Sequence, residues 1–101
     1  MPVAVKTEPF DIGDDVTIAV DFTDDAGDLA TPADYDLIIQ KPDGTEVTYL
    51  KAALANPTVG RVEKVYTIDQ SGLWYFRYRS LASPKVVKEG FFRVRETQFP
   101  A

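Results

Sequence analysis

The chain has 101 residues, of which 45% are hydrophobic, 12% aromatic and 27% charged, a composition that is ordinary for one globular domain. It contains no Cys and no His, which excludes thiolate metal sites, disulfides, Cys nucleophiles and His-based acid–base catalysis. The net charge of −5 argues against nucleic-acid binding. Nothing resembles a secretory signal or a transmembrane span, so we expect a soluble protein that does not contact membranes.

The charge is distributed unevenly along the chain. Residues 1–50 carry two basic and twelve acidic side chains, whereas residues 51–101 carry nine basic and four acidic side chains. This asymmetry suggests opposed faces that attract other copies of the protein or an acidic partner. The alternative is that acidic loops only keep the protein soluble.

Alternating apolar and polar residues predict short β-strands in the first half of the chain. The first of these runs from Val16 to Phe22, and the second covers residues 35–40. The tetrapeptide Lys41-Pro42-Asp43-Gly44 is typical of a tight turn and predicts a hairpin into a strand over residues 45–50. Residues 51–60 contain a helix-prone Ala-rich stretch that is stopped by Asn-Pro, which predicts a short helical turn or a loop.

Three further strands are predicted over residues 61–68, 73–80 and 86–95, and an N-terminal strand over residues 3–7 brings the total to seven. Lys64 interrupts the otherwise apolar row of its strand. Seven short strands separated by frequent turns predict an all-β fold, a two-sheet β-sandwich. The predicted inward rows are Val16, Ile18, Val20, Phe22, Leu37, Ile39, Tyr66, Ile68, Trp74, Phe76, Tyr78, Phe92 and Val94.

The pattern Asp69-x-x-Gly72-x-Trp74, followed by an alternating aromatic strand, resembles the corner between strands E and F of immunoglobulin-like domains. In that corner a Tyr hydroxyl bonds to upstream backbone, so the resemblance implies that the Trp74 indole N–H donates instead. Phe76 stands where antibody domains carry the second Cys, so apolar packing would replace the inter-sheet disulfide. The resemblance implies an immunoglobulin-like β-sandwich of about seven antiparallel strands. We expect a single immunoglobulin-like domain over residues 1–101, with short arms at residues 1–8 and 96–101.

The segments PDGTEV, GLWYFRYRS and EGFFRVRETQF resemble the small immunoglobulin-like proteins of tailed-bacteriophage virions. Those proteins decorate or cement heads, or are added to neck and tail proteins. The resemblance implies a non-enzymatic structural protein of the virion, assembled in the bacterial host cytoplasm. The implied role is a capsid decoration or cement protein, and the implied partners are the major capsid protein, other virion proteins and other copies of the chain. The alternatives are a neck or tail accessory protein and a host-surface carbohydrate-binding module.

Side chains of the last two strands form the main candidate interface. If these strands pair antiparallel, one basic and aromatic outward face contains Tyr75, Arg77, Arg79, Phe91, Arg93 and Arg95. Arg and aromatic residues are enriched at interface hot spots, so this face could dock on an acidic capsid surface. The alternative is that the arginines solvate the sheet and protect an edge strand from aggregation. Phe99, in the C-terminal arm, is a further interface candidate, and a frayed tail is its alternative.

Acidic residues offer only weak candidates for a metal site. Asp24, Asp25 and Asp28 could supply oxygen ligands to calcium, but their spacing matches no EF-hand loop, and Asp is common in turns. We therefore predict no metal and no cofactor. The sequence also lacks a phosphate-binding loop and a Ser nucleophile with a His partner. A glycosidase would need a carboxyl group whose pKa is raised by desolvation, but most of the acids here fall in polar turns. We expect that the protein is not an enzyme.

Overall fold

Seven β-strands form two antiparallel sheets in the computed structural model, which describes residues 10–82 and 85–96. The strands are β1 (Asp15–Asp21), β2 (Tyr35–Gln40), β3 (Glu46–Leu50), β4 (Ala55–Thr58), β5 (Arg61–Thr67), β6 (Gly72–Ser80) and β7 (Val87–Val94). One sheet has the order β1-β5-β4 and the other the order β3-β2-β6-β7. These orders match B-E-D and C′-C-F-G in immunoglobulin-like domains. The predicted all-β sandwich of about seven antiparallel strands is confirmed.

The core lies between the two sheets, because every second residue of each strand points inward. The buried hydrophobic residues are Val16, Ile18, Phe22, Tyr35, Leu37, Ile39, Leu54, Val62, Ile68, Trp74, Tyr78, Phe92 and Val94. Three residues of the predicted inward rows, Val20, Tyr66 and Phe76, are only partly buried. Lys64 also occupies an inward row, and its Nζ lies 4.7 Å from the centroid of the Tyr49 ring. A cation–π contact therefore accommodates the charge that interrupts this row.

The predicted hairpin turn joins β2 to β3. The Gly44 N–H donates to the Lys41 carbonyl at 2.9 Å, and the Lys41 N–H donates to the Thr45 carbonyl at 2.8 Å. Gly44 has φ of +91°, the left-handed conformation that its lack of a Cβ permits. The Asp43 carboxylate accepts the Thr45 N–H at 2.9 Å, and this bond lowers the pKa of Asp43. Asp43 and Gly44 therefore have the roles that their types predict in this turn.

The corner before β6 has the hydrogen bond that the immunoglobulin resemblance implied. The Trp74 Nε1–H donates to the Gln70 carbonyl at 3.0 Å, and this bond ties the start of β6 to the preceding turn. The Trp74 ring stacks on Phe92 of β7, with the ring centroids 5.7 Å apart. Phe76 packs against the Phe92 ring, with the ring centroids 6.5 Å apart, so aromatic packing occupies this part of the core.

Residues 51–60 contain the predicted short helical turn and, after it, an additional strand. A 3₁₀ turn over Lys51–Ala53 is followed by β4, a strand that the sequence did not predict. Strand β4 lies at a sheet edge, where Pro is tolerated, and it pairs with β5 only at Ala55 and Thr58. The Asn56 side-chain amide holds it by donating to the carbonyls of Thr58 and Arg61. The predicted strand at residues 3–7, the arm 1–8 and all of the C-terminal arm except Glu96 lie outside the described residues.

Candidate functional site

The outward side of the four-stranded sheet, here called the outer face, brings together most of the predicted interface residues. Strand β6 pairs antiparallel with β7, as expected, which places Tyr75 beside Phe91 and Arg77 beside Glu89. The register gives cross-strand rows Leu50–Asp36–Arg79–Val87, Thr48–Ile38–Arg77–Glu89, Glu46–Gln40–Tyr75–Phe91 and Leu73–Arg93. Tyr75, Arg77, Arg79, Phe91 and Arg93 therefore share one face.

These rows contain a pair of adjacent, exposed aromatic side chains. Tyr75 and Phe91 are neighbours across β6 and β7, and their ring centroids lie 6.4 Å apart. Tyr75 is 48% exposed and Phe91 is 57% exposed. Two adjacent aromatic side chains that remain this accessible are of the type that anchors protein interfaces.

Carboxylates hold Arg77 and Arg79 on the outer face. Arg77 Nε lies 2.5 Å from Glu89 Oε2. Arg79 makes a two-point contact with Asp36, with Nε 2.9 Å from Oδ1 and Nη2 2.5 Å from Oδ2. Asp36 is only 3% exposed, and its hydrogen bond raises the pKa of the Arg79 guanidinium. The guanidinium groups are thus oriented within the sheet before any partner binds.

The net charge of the outer face is balanced. The sequence of β6 and β7 predicted a basic surface, but β2 and β3 add acidic side chains to it. The charged residues in its rows are Asp36, Glu46 and Glu89 on one side and Arg77, Arg79 and Arg93 on the other. The sequence alone did not indicate this balance, because only the strand order places β2 beside β6 and β3 on the far side of β2.

Of the remaining two interface candidates, Arg95 lies beyond the end of these rows. Arg95 follows the last residue of β7, and its Nε lies 2.5 Å from Asp11 Oδ1. This contact adjoins the short parallel bridge in which Phe10 pairs with Val94. Phe99 lies outside the described residues.

A groove of about 330 Å³ runs between the second and third of the cross-strand rows. Its outward-facing lining residues are Ile38, Gln40, Glu46, Tyr75, Arg77 and Glu89. Gly90 borders it, and a Cβ there would lie 2.5 Å from the Phe76 Cζ, so only glycine fits beside that ring without displacing it. Sequence analysis missed Ile38, Gln40 and Glu46. The apolar run Leu37-Ile38-Ile39 was a signal, because it predicts a strand covered on both faces.

The acidic loop after β1 uses a carboxylate to hold its own turn. The Asp24 Oδ1 accepts the backbone N–H of Ala26 at 2.9 Å and of Asp28 at 3.0 Å. Asp25 and Asp28 are exposed in the same loop. Among residues 10–82 and 85–96, no group of three or more His, Cys, Asp or Glu side chains is arranged to hold a metal ion. In this loop Asp24 therefore has a structural role.

Comparisons of the chain with protein-family models, with curated proteins and with solved structures give no match. Within the part of the chain that the structure describes, no helix has the length and apolar character needed to cross a membrane. The function therefore has to be inferred from the chemistry of the outer face.

Proposed function

We propose that the protein is a non-enzymatic structural protein that docks on another protein through its outer face. The exposed Tyr75–Phe91 pair carries this proposal. Large aromatic side chains bury much apolar area at a small cost in side-chain entropy, so they supply a disproportionate share of binding energy. The ion-paired arginines around them suit the rim of such an interface, where charges set orientation more than affinity.

The proposed partner is a protein of a tailed-bacteriophage virion, most simply the major capsid protein. This part of the proposal rests on the resemblance of the segments PDGTEV, GLWYFRYRS and EGFFRVRETQF to small virion proteins. Adhesion of many copies to a shell would add contacts between shell subunits without chemistry on a substrate. A balanced outer face suits this role, because docking then depends on apolar contact rather than on long-range charge attraction.

The test is a pull-down with the full-length chain from purified, disrupted virions of the phage that encodes it, with bound proteins identified by mass spectrometry. The double variant Tyr75→Ala/Phe91→Ala is expected to weaken capsid-protein binding about tenfold or more. Val65→Ala is the matched control, because Val65 is a 55% exposed apolar residue on the opposite sheet. This control is expected to bind like the unmodified chain.

The outcomes separate the proposal from its alternatives. Capture of the capsid protein that is lost only in the double variant would support decoration through the outer face. Capture of a neck or tail protein would keep the virion role and place the protein at the neck or tail instead of the capsid. Retention on a glycan array, with no virion protein captured, would contradict the proposal and favour a carbohydrate-binding module.

A further inference from the structure

Polar side chains without partners line the groove of the outer face. Within residues 10–82 and 85–96, the side chains of Gln40, Glu46 and Tyr75 make no hydrogen bond or ion pair. They follow one another in a single cross-strand row, with Gln40 between the other two. Because neighbouring strands lie about 4.8 Å apart, the backbones at Glu46 and Tyr75 are roughly 10 Å apart. A long side chain from a partner can contact all three.

The local charge of the groove is negative, although the outer face as a whole is balanced. Arg77 and Glu89 neutralise each other through their 2.5 Å contact. Glu46 remains as a carboxylate with no ion pair among the described residues, on the same row as the Tyr75 ring. A carboxylate and the electron-rich face of an aromatic ring both attract a cation.

We propose that this groove binds the side chain of an arginine on the partner protein. The guanidinium is planar, so it can stack on the Tyr75 ring and donate paired hydrogen bonds to the Glu46 carboxylate. Its alkyl stem lies along half-buried Ile38, and the Gln40 side-chain oxygen accepts a further N–H. The inference rests on the proposed function only in taking the partner to be a protein.

The probe is Nα-acetyl-L-arginine amide, titrated into the ¹⁵N-labelled full-length chain and followed by amide chemical shifts. We expect shifts at Gln40, Glu46 and Tyr75. The neutral isostere Nα-acetyl-L-citrulline amide is expected to bind about two- to fivefold more weakly, the factor that an exposed ion pair supplies. Glu46→Gln is expected to weaken arginine binding by the same factor and to remove the preference over citrulline.

Asp25→Asn is the matched control, because it removes one negative charge from the exposed acidic loop and leaves the groove unchanged. It is expected to retain the arginine affinity of the unmodified chain. Tyr75→Leu, which keeps an apolar side chain without the aromatic face, is expected to weaken arginine binding while Glu46 is intact.

Three results would overturn the inference: equal binding of citrulline, unchanged affinity in Glu46→Gln, or shifts centred on the loop around Asp25. Shifts with N-acetylglucosamine but not with the arginine derivative would also overturn it and would favour a carbohydrate ligand. Failure of the proposed function can be distinguished from failure of this inference. If the proposed function fails, the pull-down captures no capsid protein while the arginine derivative still shifts the groove amides. Conversely, capsid binding through Tyr75 without arginine shifts would refute only this inference.

Discussion

Tyr78 connects the two sheets through the centre of the core. Its ring is completely buried, and its hydroxyl donates a hydrogen bond to the Ile18 carbonyl on β1. Tyr78→Phe retains the ring and removes the donor, which leaves the Ile18 carbonyl without this partner in a region shielded from water. An acceptor left unsatisfied in this way costs about 1–3 kcal/mol. In a domain of this size each 1 kcal/mol lowers Tm by roughly 4–8 °C, so we expect Tm to fall by about 4–24 °C.

The assay is equilibrium unfolding in urea, followed by the fluorescence of Trp74, which is the only Trp and is fully buried. The midpoint is expected to fall with an unchanged m-value, because the area exposed on unfolding is the same. Tyr75→Phe is the matched control: it makes the same chemical change at an exposed position and is expected to alter stability by less than about 0.5 kcal/mol. Equal effects of the two variants would refute the assignment of an inter-sheet role to the Tyr78 hydroxyl.

Three further predictions concern pH, the buried ion pair and the hairpin turn. Burial raises the pKa of the Tyr78 phenol above its ordinary value of 10.0, so the folded chain holds that proton more tightly than the unfolded chain. The contribution of this proton to the free energy of unfolding is complete below pH 10 and is lost as the pH rises above 10. Between pH 9 and pH 11, the urea midpoint of Tyr78→Phe should therefore fall less steeply than that of the unmodified chain. Arg79→Met should lower Tm more than Arg77→Met in thermal melts, because only Arg79→Met leaves a buried carboxylate, that of Asp36, without its ion-pair partner. Equal losses of Tm in the two variants would contradict this burial effect. Gly44→Ala should cost about 1–2 kcal/mol in urea unfolding, since alanine at φ of +91° is strained, and an unchanged midpoint would show that the turn can rearrange.

Local pattern was sufficient for most strands and for most of the core. Strand β2 lies at residues 35–40 as predicted, and Leu37 and Ile39 are buried as their alternation indicated. The Trp74 bond to Gln70 was also predictable, because donor and acceptor are four residues apart in one corner. Strand β4 was missed since its pairing with β5 depends on sheet context, which overrides the weak strand propensity of Asn-Pro.

The sequence by itself determined the fold class, the inward rows and the aromatic pair on the last two strands, because period-two alternation assigns each residue to one side of its own strand. Alternation does not say which strand lies beside which. Only the tertiary structure decided that Asp36 reaches Arg79, since this contact depends on β2 lying beside β6. Only the tertiary structure placed Glu46 in the row of Tyr75, since this row depends on β2 lying between β3 and β6. The face that the sequence of β6 and β7 predicted to be basic is therefore charge-balanced in the folded sheet, and the groove on this face carries a negative charge.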